Sequence, residues 1–217
     1  MERYLKKLIS EGENQHLDFK FCISDSRKIA RTLSAFANTE GGKLLIGVRD
    51  NGTIAGVRSD EEYYMIETAS ILFCKPEIPV SIKQHSADGK IVLEVDVTKG
   101  DKKPYLSKGD NGKWQAYFRH GDQNLVANSV MLHLWLKNDR KKGILIRFGK
   151  PENALMEYLK THGTITFSGF RKMAKIPPYK AEKIIVNLLL CNVLEMNISE
   201  KGFTYSLSKP EQKVKEE

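Results

Sequence analysis

The sequence predicts an α/β domain of the mixed α+β kind, followed by a small winged helix-turn-helix domain. Over residues 1–136, strand and helix signals alternate, and tight-turn dipeptides separate neighbouring strand signals. After Pro151 the order becomes helix, strand, helix, helix and hairpin, which is typical of a winged helix-turn-helix module. We therefore expect an α/β domain at 1–136, a basic linker at 137–150, a winged-helix domain at 151–208 and a polar tail at 209–217.

Hairpin and helix signals are mixed in the first domain. Leu17 and Phe19 alternate with polar neighbours, as in a half-buried strand, and a helix is predicted over 26–38 with Ser26 as its N-cap. The other predicted elements are a strand at 43–48, a hairpin partner at 53–57 after the Asp50-Asn51-Gly52 turn, a helix opening at Asp60, strands at 80–84, 90–97 and 114–119, and a helix at 128–138. This mixture favours a mixed sheet over a strictly parallel one.

The second domain has clear start and stop signals. A helix is predicted to end at Gly163, and 164–167 follows as a short β segment. Ser168 is expected to cap the next helix, and the helix over 178–191 begins with proline in its first turn, where proline is tolerated. Two strand signals around Glu200-Lys201-Gly202 predict the closing hairpin, or wing.

Positive charge is concentrated between the two predicted domains. Of the formal net charge of +8, residues 137–150 carry +5, residues 151–217 carry +2 and residues 1–136 carry +1. Such a segment can be a solvated linker that repels itself open, or a stripe that follows nucleic-acid phosphates.

Several classes of protein are excluded by the composition. No apolar run approaches the roughly 18 residues of a membrane-spanning helix, and residues 1–15 lack the apolar core of a secretion signal. Cys22, Cys74 and Cys191 are far apart and form no C-x-x-C pattern, so they are expected to be free thiols. We therefore expect a cytoplasmic protein.

The predicted helix 178–191 carries the strongest candidate nucleic-acid contacts. Tyr179, Lys180, Lys183 and Asn187 are expected on its outward face, where the lysines can meet phosphates and Asn187 can recognise an adenine edge. Further candidates are Arg171 and Lys172 on the preceding helix, Lys201 at the wing tip, and Lys137, Arg140, Lys141 and Lys142 in the basic segment. The alternative is a winged helix used only for dimerisation or protein docking.

Three motifs in the first half resemble the Schlafen-type AlbA domain. They are GENQHLDFK at 12–20, SAFANTEGGKLLIGVRDNG at 34–52 followed by IAGV at 54–57, and YFRHG at 117–121. The resemblance covers roughly residues 10–135 and implies an AlbA-type mixed-sheet fold associated with nucleic-acid binding.

The same resemblance raises the alternative of a nuclease. Some Schlafen proteins are ribonucleases that use three carboxylates, and the matching residues are Glu13, Asp18 and Asp50, which would be both catalytic and metal-binding. Oxygen ligands of this kind suit Mg²⁺ or Mn²⁺, which can activate water beside a phosphate. Asp18 stands where the family usually carries Glu, Asp50 is also ordinary turn chemistry before Asn-Gly, and Glu13 can be a solvated surface acid.

Three hypotheses follow for the function. The first is a bacterial DNA-binding transcriptional regulator, acting as a homodimer as winged-helix regulators commonly do. The second is a metal-dependent endoribonuclease, and the third is an interaction scaffold that does not contact DNA. No cofactor is expected apart from Mg²⁺ or Mn²⁺ in the nuclease. Some family members are described as ATP-binding. ATP is not expected here, because Gly41-Gly42-Lys43 lacks the P-loop spacing.

Overall fold

A computed structural model describes residues 2–138, 148–199 and 202–209 of the chain. It divides into two compact units, residues 1–127 and 128–217, each described separately below. This division falls before the expected boundary at 136, because the helix at 129–138 packs with the second unit. Within the described residues, no helix has both the length and the apolar composition needed to cross a bilayer.

The first unit contains two four-stranded sheets. Its elements are α1 (Glu2–Ser10), β1 (Leu17–Lys20), α2 (Ser26–Asn38), β2 (Gly42–Ile46), α3 (Glu61–Leu72), β3 (Cys74–Lys75), β4 (Val80–Ala87), β5 (Lys90–Val97), β6 (Leu106–Lys108), β7 (Trp114–His120) and β8 (Gln123–Val126). The first sheet has the order β1-β2-β5-β4, in which only β1 and β2 are parallel. The second, β3-β6-β7-β8, is antiparallel. The predicted mixed α/β fold is therefore confirmed.

Helix α2 lies between the two sheets. Its residues Ile29, Leu33 and Phe36 are buried in a core shared with α3 and with the inward face of the first sheet, which includes Leu44 and Val95. On its other side α2 packs along β6, β7 and β8. A helix covered on two sides needs small or hydrogen-bonded residues where a strand approaches closely. This requirement explains its unusual content of buried Ser, Thr, Ala and Asn.

Helix α1 covers the opposite face of the first sheet. Leu5 is fully buried against Phe19, Leu45 and Val92 in a second, smaller core. This helix was not predicted from the sequence. Leu8 and Ile9 pack beside Leu5 at helical spacing, so the sequence does contain an amphipathic signal for this helix, and it was overlooked.

Two local predictions for the first unit were wrong. The N-cap of α2 is Asp25, whose carboxylate accepts the Arg27 N–H at 2.9 Å, and Ser26 is the first helical residue. Residues 53–57 form no strand: Val48 and Ile54 make a single bridge, and the Ala55 and Gly56 N–H groups both donate to the Gly47 carbonyl.

The second unit has the predicted order of elements. They are α4 (Ser129–Asn138), α5 (Lys150–His162), β9 (Thr164–Thr166), α6 (Phe167–Ala174), α7 (Pro178–Leu190), β10 (Leu194–Ser199) and β11 (Gly202–Leu207). The strands form one antiparallel sheet in the order β10-β11-β9. Leu155, Phe170, Ile185 and Tyr205 fill its core. The cap of α6 is Thr166, which accepts the Gly169 N–H at 3.1 Å, so the prediction of Ser168 as cap was wrong.

Candidate nucleic-acid interface

The first two turns of α7 present a positively charged, exposed surface. Tyr179 is 73% exposed, and Lys180 and Lys183 are also exposed. Neither lysine has an ion-pair partner among the residues that the structure describes. Three residues separate α6 from α7, and Lys175 among them adopts a left-handed conformation with φ 51°. The tight turn and the proline at the start of α7 thus fix the direction in which the helix leaves α6.

Helix α4 occupies the far part of α7. The Lys137 ammonium donates to the Asn187 side-chain oxygen at 3.3 Å, and His133 lies 3.3 Å from the Glu182 carboxylate. Asn187 is therefore engaged by α4 and does not lie free on the surface predicted from the sequence. Lys137 also belongs to this contact. The sequence pattern predicted Asn187 on the outward face of α7, but it could not show that another helix packs against this residue.

The remaining predicted contacts are divided between α6 and residues outside the described structure. Lys172 on α6 is exposed, whereas Arg171 is partly buried and its Nε is buried without a hydrogen-bond partner. Arg140, Lys141, Lys142 and Lys201 lie outside the described residues. The described cations of the interface are thus Lys172, Lys175, Lys180 and Lys183.

In the first unit, the polar residues of the SAFANT motif bind backbone groups. The Asn38 side-chain amide donates to the carbonyls of Tyr105 and Tyr117 at 2.7 and 2.8 Å and accepts the Tyr105 N–H at 2.8 Å. The Ser34 hydroxyl donates to the Tyr105 carbonyl at 2.8 Å, and Thr39 accepts the Arg119 N–H at 2.8 Å. These residues therefore attach α2 to β7 and to the segment before β6, and they satisfy backbone groups that the second sheet leaves unpaired.

The glycine pair of the same motif is required by close packing. Gly41 has φ +78°, and a Cβ there would lie 2.7 Å from the Val97 carbonyl oxygen. At Gly42 a Cβ would lie 2.5 Å from the Phe36 ring. Any larger side chain would push α2 and the first sheet apart.

Arg119, in the YFRHG motif, is the centre of a buried polar network. Its side chain is fully buried and its guanidinium donates to the carbonyls of Asn14 and Leu17, to the Asp18 carboxylate at 3.3 Å and to the Asn124 amide oxygen at 3.0 Å. Asp18 is 2% exposed, and Arg119 stabilises its negative charge there. The network joins β1 to β7 and β8.

These motif residues lie within the region of the chain that matches a known protein family. The model for "Schlafen, AlbA_2" matches residues 13–128. The chain belongs to the Schlafen AlbA_2 family. The match ends next to the division between the two units, so the first unit is the Schlafen AlbA_2 domain of this chain.

Two solved structures are similar to the chain at low sequence identity. The DIP2311 protein from Corynebacterium diphtheriae is 17% identical with a TM-score of 0.45, and the match covers 57% of this chain and 28% of that one. The N-terminal domain of a protein from Nitrosomonas europaea, described as related to the ATP-dependent DNA helicase RecG, is 19% identical with a TM-score of 0.40. That match covers 67% of this chain and 97% of the other. The chain therefore aligns with little more than a quarter of the DIP2311 protein.

Of the three carboxylates that the family resemblance suggested, the structure brings Glu13 and Asp18 together. Asp18 pairs with Arg119 and with Lys20, whose ammonium lies 3.0 Å away. Glu13 accepts the Phe19 N–H at 2.8 Å, and burial together with a hydrogen bond to Asp18 raises the pKa of Glu13. Asp50 is exposed on the turn after β2. Across the described residues, no three His, Cys, Asp or Glu side chains form a group that could hold a metal ion. The Schlafen AlbA_2 domain therefore uses Asp18 in a structural ion pair.

A second polar cluster in the Schlafen AlbA_2 domain was missed by the sequence analysis. Glu94 is 1% exposed and receives hydrogen bonds from Tyr4 at 3.1 Å and Lys43 at 2.7 Å, while its other oxygen lies 2.7 Å from His85. Burial alone would raise the pKa of Glu94, but these hydrogen bonds hold it below its ordinary value. The four residues lie on four different elements, so no spacing in the sequence connects them.

Proposed function

We propose that the chain is a DNA-binding protein whose second unit acts as a winged helix-turn-helix and whose α7 enters the major groove. The observation that carries this proposal is the exposed start of α7, where Tyr179, Lys180 and Lys183 have no ionic partner among the described residues. In helix-turn-helix proteins the first turns of the second helix approach the bases. The order of the elements after Lys150 and the tight connection between α6 and α7 support the same assignment.

Each cation has a role that follows from its position. Lys180 and Lys183 bind phosphates on either side of the groove, and Lys172 on α6 and Lys175 in the turn after it extend the contact. Tyr179 offers an aromatic face and a hydroxyl at the point where α7 begins. Asn187 takes no part, because it is bound to Lys137.

The proposal is tested by fluorescence anisotropy with a labelled 24-base-pair duplex at several salt concentrations. Each phosphate contact contributes about 0.9 to the slope of log affinity against log salt. K180A/K183A should therefore weaken binding at least several-fold and reduce the slope by about 1.8, corresponding to two lost contacts.

A matched variant controls for net charge. Lys150 and Lys160 are exposed on α5, and K150A/K160A removes the same two charges from the same unit but away from α7. It should leave affinity within twofold of the unchanged protein. If K180A/K183A and K150A/K160A weaken binding equally, the α7 interface is wrong. If the unchanged protein retains no duplex at low salt, DNA binding itself is wrong, and a scaffold becomes the better hypothesis.

We further propose that the chain is a transcriptional regulator that binds DNA as a homodimer. A winged-helix unit covers a single half-site, and two copies related by a twofold axis would match a palindromic operator. Footprinting with genomic DNA fragments should then protect two half-sites about 10 base pairs apart or a multiple of that distance. Protection of single, unrelated segments would contradict the dimer.

A further inference from the structure

The Schlafen AlbA_2 domain has a pocket lined by three cations and no acid. It lies between the segment 47–58 and the start of β5, has a volume of about 430 Å³, and its lining includes Phe21, Arg49, Ile54, Arg58 and Lys90. This volume is in the range of small-molecule sites, about 300–1,000 Å³. Neither the motif network around Arg119 nor the α7 surface includes any of these residues.

The two arginines share one aromatic ring. The guanidinium carbon of Arg49 lies 4.3 Å from the centroid of the Phe21 ring, and that of Arg58 lies 5.2 Å from it. Neither guanidinium forms an ion pair with a carboxylate of the described residues. Packing against the ring limits their rotation, so that less side-chain entropy is lost when they bind a ligand.

The backbone around the pocket is fixed by hydrogen bonds. The Gly47 carbonyl accepts the N–H groups of Ala55 and Gly56 at 2.8 and 2.9 Å, which closes a loop over 47–56 that contains Arg49. The Arg58 N–H donates to the buried Glu62 carboxylate at 2.9 Å. Arg49 therefore lies inside a closed loop, where its N–H also donates to the Thr53 carbonyl at 3.0 Å, and Arg58 follows two residues after that loop.

The third cation is oriented by the same loop. The Lys90 ammonium donates to the Ile54 carbonyl at 2.9 Å, and its two other N–H groups remain available to a ligand. An unpaired cluster of like charges is unfavourable without an anion. A pocket with two planar guanidinium forks and one ammonium matches the tetrahedral oxygens of phosphate, which arginine binds in bidentate fashion.

We propose that this pocket binds a phosphate group, supplied either by a free nucleotide or by a nucleic-acid strand. Arg49 and Arg58 bind the phosphate oxygens, and Lys90 neutralises the remaining negative charge of the phosphate. The site is separate from the proposed α7 interface, and its occupancy does not depend on whether α7 binds DNA.

Isothermal titration of the full chain with AMP, with adenosine and with a ten-nucleotide oligo(dA) tests the proposal. AMP should bind and adenosine, which lacks the phosphate, should not. R49Q/R58Q should lower the affinity for AMP at least tenfold, whereas R58K, which keeps the charge and loses the fork, should lower it by a smaller factor. The oligonucleotide arm is measured in the K180A/K183A background, so that a contribution from α7 is removed. If the oligonucleotide binds more tightly than AMP, a nucleic-acid strand supplies the phosphate. If AMP binds more tightly than the oligonucleotide, a free nucleotide supplies it.

The control is K83Q/K113Q, which removes two exposed charges of the same domain outside the pocket. It should bind AMP within twofold of the unchanged protein. Because Arg49 and Arg58 are exposed, the variants should unfold within a few degrees of the unchanged protein, which a thermal melt verifies. Equal AMP affinity in R49Q/R58Q and K83Q/K113Q, equal binding of AMP and adenosine, or no binding of AMP or oligonucleotide at millimolar concentration would each overturn the proposal.

Discussion

Replacing Arg119 by Met should destabilise the first unit far more than a surface arginine would. Methionine keeps much of the buried stem but removes every donor of the guanidinium. Two backbone carbonyls, of Asn14 and Leu17, and the Asn124 oxygen then lose hydrogen bonds of 2.9–3.1 Å. The carboxylate of Asp18 loses its partner at 3.3 Å.

The expected loss in the free energy of unfolding follows from these lost contacts. Breaking a buried ion pair from one side costs about 3–5 kcal/mol, and a newly unsatisfied acceptor such as the Asn124 oxygen costs about 1–3 kcal/mol. The carbonyls of Asn14 and Leu17 lose less, because each still accepts the backbone N–H of the other residue. The contributions overlap because they belong to one network, and Lys20 still faces Asp18 at 3.0 Å. We expect a loss of about 4 kcal/mol in the free energy of unfolding, a large part of the roughly 5–15 kcal/mol typical of domains.

The assay uses the fact that each unit holds one of the two tryptophans, Trp114 in the first and Trp135 in the second. In a W135F background, urea unfolding followed by tryptophan fluorescence reports on the first unit alone. R31M is the matched control: Arg31 pairs with the exposed Asp110 at 2.7 Å, and such a pair contributes about 0–1 kcal/mol. If R119M costs no more than R31M, the reasoning about the network is refuted.

Three further outcomes are expected. K43M should lower the free energy of unfolding by about 1–3 kcal/mol at neutral pH. Because the pKa of Glu94 is lowered, its ionised form contributes stability that is present above about pH 4.5 and lost as the pH falls through the folded-state pKa. K43M should therefore lose less stability on acidification than the unchanged protein, and an identical acid dependence in urea titrations would contradict this. Mg²⁺ or Mn²⁺ at 10 mM should leave the melting temperature unchanged, whereas a site with a Kd of about 0.1 mM would add about 2.7 kcal/mol; a metal-dependent rise that disappears in D18A would restore the nuclease hypothesis. Light scattering should give at least twice the chain mass of 24.7 kDa at tens of micromolar, and a mass near that of one chain would argue against the dimer.

The sequence predicted most elements because their periodic signals are long. The strands β5 and β7 and the helices α2, α4 and α7 lie close to their predicted ranges. The strands β3, β6 and β8, of two to four residues, were not predicted, and they form where neighbouring strands pair with them. The equally short β1 was predicted, because its side chains alternate between apolar and polar.

The candidate functional residues were predicted unevenly for a physical reason. Lys180 and Lys183 follow from helical periodicity, which the sequence contains. The engagement of Asn187 by Lys137 depends on how α4 packs, 50 residues away along the chain, and the pocket at Phe21 depends on three separate segments. A sequence motif also cannot show whether a carboxylate such as that of Asp18 forms a buried ion pair or binds a metal ion, since the same residue type serves both.

The position of α2 between the two sheets has a consequence for how the first unit opens. Ser34 and Asn38 bind the backbone near β6 and β7 on one side, while Phe36 fills the core against the first sheet on the other. Neither sheet can separate from α2 without exposing that core or releasing those bonds. The amide protons of β7 and β5 should therefore exchange with solvent in a single cooperative event, at the free energy of unfolding of the whole unit, instead of as two independently opening halves.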